Sequence, residues 1–439
     1  MAQQSKTALT SRSLTKALGT ASILSMAIAG ASVANAIETD FGVELKAQGF
    51  AIDSEAFGQP SDTDTGWANY LRLKADFKDE NTGVSVHTSI ELAGSRWKGD
   101  NRGTVVSPGA TGQYNPSSGG DNTRLDLGYV QVPFANGTIL RVGRQASNWN
   151  NCFLVCDDRR DRILSIIPTA AGSVLAIYDR RRDMTDFDNS DNGDLFALGL
   201  VTEAADFDVG LLYVHWLNNS KTGDTDPYVL SGVHLFSPYI SGNLTDNLSL
   251  TAGLNFTTSG SITTGNSGQY FNDPALAEYL RLGTSLGGAE LNFQVAAAQD
   301  GGLISNGFDT YSSLINNNPD STASPTSLYR MVGTLGIESF NEYLVAGQAI
   351  LPINSKLSLR GALGMLNVDN GSADDSSMFY DIQAHYQINS AVSTSATFGV
   401  LTKNDVARTA GNSLSPESVG NDFADDDLMA ASLNMHVKF

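Results

Sequence analysis

The sequence predicts an all-β chain: a transmembrane antiparallel β-barrel of about eighteen strands, with short periplasmic turns and long extracellular loops. Three observations predict it. Apolar and polar residues alternate with period two in segment after segment. Short turns and long polar connections alternate along the chain. The opening residues have the build of an export signal.

That opening comes first in order. Lys6, Arg12 and Lys16 give a positive start, Ala17 to Val33 an Ala-rich apolar stretch, and Ala34-Asn-Ala36 a small-residue cleavage site. Residues 1–36 are therefore expected to be a removed signal peptide and residues 37–439 the barrel. Removal takes away three positive and no acidic charges, moving the formal charge from −20 to −23.

The strands follow. Leu248, Leu250, Ala252, Leu254 and Phe256 alternate with Ser249, Thr251, Gly253 and Asn255. Ala289, Leu291, Phe293 and Val295 alternate with Glu290, Asn292 and Gln294. Tyr380, Ile382, Ala384, Tyr386 and Ile388 share one face, as do Val392, Thr394, Ala396, Phe398 and Val400. The opposite faces carry mostly Ser, Thr, Asn, Gln and Gly, where a soluble sandwich would carry many Lys and Glu. Leu248, Leu250, Leu254, Leu291, Phe293, Ile382, Phe398 and Phe439 are expected to face lipid.

Tight turns are expected at Asp79–Gly83, Ala135–Gly137, Ala170–Gly172, Ala204–Asp206, Thr245–Asn247, Gly287–Gly288, Pro352–Ser355 and Asn389–Ala391. Long polar connections run near residues 54–66, 94–122, 146–162, 181–192, 218–226, 260–274, 300–339, 369–376 and 404–424. Eight turns and nine loops join eighteen strands, and an even count returns both ends to one side. The sheet must close, because lipid cannot satisfy an open strand edge. Ser327 to Tyr343 reads equally as a loop helix, an inward-folded segment or a misread strand, so sixteen strands is the alternative count. The chain closes on Leu433-Asn-Met-His-Val-Lys-Phe439, an alternating strand with a terminal aromatic, which resembles the recognition signal of outer-membrane barrels.

Composition excludes several classes. An acidic chain is a poor partner for nucleic acid, which needs a basic surface. No H-E-x-x-H or phosphate-binding G-x-x-x-x-G-K occurs, and the five histidines are scattered. The Asp-rich runs 188–194 and 422–427 lack EF-hand spacing. No cofactor or metal is expected. Cys152 and Cys156 are expected to form a disulfide, because an exported chain meets an oxidising compartment.

Arginine is the unusual feature. Eight of the sixteen mature arginines fall between Arg141 and Arg182, in a window with four acids and no Lys. Arg141, Arg144, Arg159, Arg160 and Arg162 belong to it; Arg72, Arg124, Arg281 and Arg360 occupy polar-face positions elsewhere. An arginine facing lipid near the midplane costs about 2–4 kcal/mol, so all nine are expected in the lumen. There they either favour anions, as basic rings do, or pair with wall acids such as Asp76, Asp126 and Glu91. The segment 146–162, the third long connection, is expected to narrow the lumen; the other reading is an extracellular excursion.

Leu127-Gly-Tyr-Val-Gln-Val132, a short turn, Leu140-Arg-Val-Gly-Arg-Gln145 and then Asp158-Arg-Arg-Asp-Arg162 together resemble substrate-selective outer-membrane barrels, including the alginate-export type. The rest of the chain resembles Gram-negative porins in pattern alone. This resemblance implies an outer-membrane channel passing small hydrophilic solutes by diffusion, with a preference for anions and contacts to outer-membrane lipid and lipopolysaccharide. A sixteen-stranded barrel would be expected as a homotrimer and an eighteen-stranded one as a monomer. The competing classes are an outer-membrane barrel enzyme and a structural or adhesive surface barrel.

Overall fold

A computed structural model describes residues 37–53, 63–91, 124–182, 193–218, 230–258, 261–262, 273–305, 307–315, 340–408, 422–423 and 427–439. The signal segment 1–36 and residues 327–339 of the ambiguous stretch lie outside the described residues. Eighteen strands form one sheet. They are β1 (Ile37–Asp53), β2 (Thr63–Asp79), β3 (Ser85–Glu91), β4 (Arg124–Pro133), β5 (Ile139–Trp149) and β6 (Val155–Thr169). Next come β7 (Gly172–Arg182), β8 (Gly193–Ala204), β9 (Phe207–Asn218), β10 (His234–Thr245), β11 (Leu248–Thr257) and β12 (Ala275–Leu286). The last are β13 (Ala289–Gln299), β14 (Asn341–Pro352), β15 (Leu357–Asp369), β16 (Asp374–Asn389), β17 (Val392–Leu401) and β18 (Leu428–Lys438).

Each strand pairs antiparallel with its sequence neighbour, and β1 pairs with β18 to close the barrel, with Leu45 opposite Val437 and Phe50 opposite Ser432. Phe439 completes the seam: its N–H donates to Val43 O at 3.1 Å and its own carbonyl accepts from Val43 N–H at 2.7 Å. Closure leaves no open edge, which is what a lipid-embedded sheet requires. The sixteen-strand alternative is thereby replaced by eighteen.

All eight expected turns lie on one rim. At the first, Asp79 accepts from Asn81 N–H at 3.1 Å and Thr82 Oγ1 at 2.6 Å, while Gly83 N–H donates to Asp79 O at 2.8 Å. A carboxylate that caps its own turn in this way fixes the register of β2 against β3.

Two expected loops are corrected. Segment 146–162 is mostly strand: β5 runs to Trp149, β6 begins at Val155, and only 150–154 connects them. Segment 369–376 shrinks to the turn 370–373. In both, polar composition hid strand, because residues facing a wet lumen have the composition of a loop.

The outer wall is apolar, as its alternation requires. Phe293, Ile382, Phe398 and Phe439 are all solvent-exposed in the isolated chain, with Ile382 at 60% and Phe439 at 71%. Leu198, Phe196, Leu211, Phe236, Leu363, Met365 and Tyr380 join them. Surface of this kind is stable only against an apolar solvent. The buried apolar residues lie inside the barrel instead, where Phe153, Phe308, Leu314 and Ile315 pack on the inner faces of β12 to β17.

Candidate functional site

The lumen is built asymmetrically: two segments fold onto one side of it, and charged side chains line the other. The first segment is the tip of the β5–β6 hairpin. Trp149 Nε1 donates to Ser237 O at 3.0 Å, and its ring meets Tyr239 edge-on at 5.3 Å. Asn150 Nδ2 donates to Ser237 Oγ at 3.2 Å, and Asn151 Nδ2 donates to Tyr279 Oη at 2.9 Å. Phe153, fully buried, packs on Tyr279 at 4.5 Å. These partners belong to the inner faces of β10 to β12, so the hairpin tip leaves its own wall and reaches across the lumen. Gly253 permits the approach, since a Cβ there would lie 2.2 Å from Asn150 Oδ1. Cys152 and Cys156 are bonded across the tip, with Cα atoms 4.4 Å apart.

The second segment follows β13. Ser305 N–H donates to Phe153 O at 2.8 Å, locking the chain to the hairpin tip, and Asn255 Nδ2 of β11 donates to Leu303 O at 2.6 Å, locking it to the wall. Gly307 lies against the disulfide: a Cβ there would sit 2.4 Å from Cys156 Cβ. Phe308 then packs on Phe153 at 4.8 Å and Tyr279 at 5.1 Å, under the Arg281 guanidinium at 4.3 Å. Small inner-face residues, Ala277, Ala296, Ala298, Ala346 and Ala362, leave the room that Tyr311, Leu314 and Ile315 fill. Burial pushes the Tyr311 phenol up from its ordinary pKa.

The predicted arginines separate into groups. Arg281 donates through Nε to Gln294 Oε1 and through Nη2 to Asp309 O, while Arg360 donates to Tyr311 O. Both hold the main chain of the second segment. Asp381 adds a third hold, accepting from Ser313 N–H at 2.9 Å.

Arg72 lies amid Glu44, Glu91 and Asp126, its Nε 2.8 Å from Asp126 Oδ2. Arg159 shares Asp126, at 2.5 Å. The strand irregularity at Ser89/Ile90 places Asp126 at this junction, where Ser89 Oγ donates to it at 2.6 Å. Arg162 grips Asp179 with both Nε and Nη2, at 2.6 and 2.7 Å, a fork-to-carboxylate pair almost shut from solvent. Arg160 pairs with Asp158. Removing either partner of such a buried pair costs about 3–5 kcal/mol, because the other charge is left uncompensated.

Arg144 departs from the expectation. Its neighbour Gln145 is buried on the lumen side, so alternation turns Arg144 to the outer face, where it meets Asp161 at 3.2 Å. Arg180 and Asp194, 2.7 Å apart, continue that outer row on β7 and β8. The long-loop rim accounts for this: β7 ends at Arg182 and β8 begins at Gly193, so the charges sit at the edge of the apolar band. Arg124 opens β4 in register with Glu91, and its side chain lies outside the described residues.

Arg141, like Arg281, has a purely neutral set of contacts, but it holds no part of the second segment. Its Nε donates to Gln131 Oε1 at 2.8 Å and its guanidinium lies 5.8 Å from the Tyr129 ring centroid. Of the wall around it, only Asp76 was singled out from sequence, as a wall acid. Tyr129 stacks on His87 at 4.7 Å, and His87 Nδ1 lies 2.8 Å from Asp76 Oδ1. Lys74 lies 3.6 Å from Glu44. Lys74 and Asp76 are 36% and 46% exposed although they point into a closed barrel. Period two marked these positions as polar-face; only the closed sheet made them neighbours.

No family model matches the sequence, and no curated protein does. Solved structures match the fold. OccK9 (OpdG) of Pseudomonas aeruginosa is 13% identical over 92% of this chain and 98% of its own, with a TM-score of 0.56. The outer-membrane protein OpdK of P. aeruginosa is 11% identical over the same shares, at 0.55. A BenF-like porin of Pseudomonas fluorescens Pf-5 is 10% identical over 92% of this chain and 99% of its own, at 0.53. The closed sheet, the apolar outer wall and these likenesses agree: this chain has the fold of the Gram-negative outer-membrane channel barrels.

Proposed function

We infer that the protein is a diffusion channel for small hydrophilic solutes across the outer membrane, with a preference for anions. One observation carries the reading: inside a closed barrel, Lys74 and Asp76 keep more than a third of their side chains accessible. A charged wall facing a space of that kind is hydrated, since accessible charge against a dry interior is too costly to keep. The hairpin tip and the second segment occupy the opposite side and set the width that remains.

The anion preference rests on the local balance of charge. Acids neutralise Arg72, Arg159, Arg160 and Arg162, which makes them wall braces first. Arg141 has only neutral contacts, and Lys74, accessible although 3.6 Å from Glu44, is a further cation of the wall, so these two weigh on a passing ion. The net charge of −23 does not oppose this. Charges farther than about 8–10 Å away are screened at physiological salt, whereas a lumen charge acts at close range.

Single-channel recording in planar bilayers tests the channel. A stable ohmic step supports it, and a folded barrel that never conducts refutes it in favour of an enzyme or adhesive barrel. The reversal potential in a salt gradient tests the preference, and a cation-selective wild type refutes that part alone.

A further inference from the structure

On the outer face near the long-loop rim, two histidines from neighbouring strands lie directly opposite one another. His215, three residues from the end of β9, is the register partner of His234, the first residue of β10. Their rings are parallel, with centroids 4.3 Å apart and planes inclined by 13°. Val214 and Trp216 on either side of His215 are buried toward the lumen, so the imidazoles point outward, beside the exposed Phe196 and Phe236.

We propose that His215 and His234 form a cross-strand chelate for a divalent transition-metal ion on the outer wall of the barrel. Neutral imidazole suits zinc, nickel and copper, and directly opposed residues hold their Cβ atoms about 4.5–5.5 Å apart. Rotation about the soft χ2 of each histidine brings one nitrogen from each ring onto a shared ion. Two further features fit. Tyr213 Oη lies 2.8 Å from His234 Nδ1. If Nδ1 carries the proton and donates to that oxygen, Nε2 keeps its lone pair for the metal, and ligating histidines are oriented by an outer partner in this way. The ring nitrogens of His215 have no hydrogen-bond partner among the described residues, and both rings are partly accessible. Two imidazoles leave the remaining coordination positions to water.

Copper(II) is the probe of choice, because it binds nitrogen sites most tightly of the first-row divalent ions and reports its ligands by electron paramagnetic resonance. The untagged, refolded barrel in detergent is titrated with copper chloride. One equivalent is expected to bind with the superhyperfine pattern of two nitrogens. H215Q and H234Q are each expected to leave one nitrogen and to weaken binding at least tenfold. Y213F, which keeps both ligands, is expected to weaken it roughly 10- to 100-fold. The heat-dependent gel shift checks that each variant is folded. An H215Q/H234Q double variant with the affinity and spectrum of the wild type overturns the proposal and moves the copper to His87–Asp76 or His436–Glu44. Unchanged affinity in Y213F overturns the role given to Tyr213.

Discussion

Phe308 is the residue through which the second inward segment is held, and Phe308→Ala tests whether that segment borders the pore. The ring is fully buried, contacts Phe153 and Tyr279 and lies 4.3 Å beneath Arg281. Truncating a buried Phe costs about 3–5 kcal/mol, and the lost cation–π contact accounts for about 0.5–2 kcal/mol of stabilisation where it is desolvated. The barrel ladder does not depend on this ring, since β1 to β18 close through main-chain hydrogen bonds. The loss therefore falls on the local opening of the segment. At 1.4 kcal/mol per tenfold, the first figure alone raises the open population roughly a hundredfold to several thousandfold. The expected result in single-channel recording is larger mean conductance with frequent transitions between levels, and an unchanged heat-dependent gel shift. A folded variant with the conductance and noise of the wild type would show that the segment lies away from the ion path.

Three further outcomes are expected. Arg141→Gln removes a cation without stranding an acid, so the reversal potential in a salt gradient moves toward cations, while Arg159, Arg160 and Arg162→Ser moves it further by stranding Asp158 and Asp179 and leaving Asp126 to Arg72; no shift in either variant confines all four arginines to bracing. Phe439→Asp puts a charge at the end of the closing strand, where Phe439 shares both main-chain hydrogen bonds with Val43; it should reduce the heat-shifting fraction in membranes, and wild-type assembly would count against the terminal aromatic. Cys152 and Cys156 should resist alkylation in the folded protein until a reductant is added, as their bond implies, and labelling beforehand would remove the staple from the hairpin tip.

The barrel itself was legible in the sequence. Alternation such as Leu248 to Phe256 is local, and the turn chemistry at Asp79–Gly83 or Gly287–Gly288 needs only neighbouring residues, so strand number and all eight turns followed from short-range rules. The lumen was not legible in the same way. Arg159 meets Asp126, Trp149 meets Ser237 and Phe308 meets Phe153 across many residues and several strands. Those meetings depend on register and closure, which pattern alone leaves open. Arg144 shows the limit of the argument that every wall arginine turns inward: alternation in β5 puts it with Asp161 on the outer face, at a rim where charge is tolerated. The 146–162 stretch shows another, since a polar composition describes a solvated loop and a lumen-facing strand equally well. What distinguished them was the long-range partner each residue finds, and a chain supplies that only when its sheet has closed.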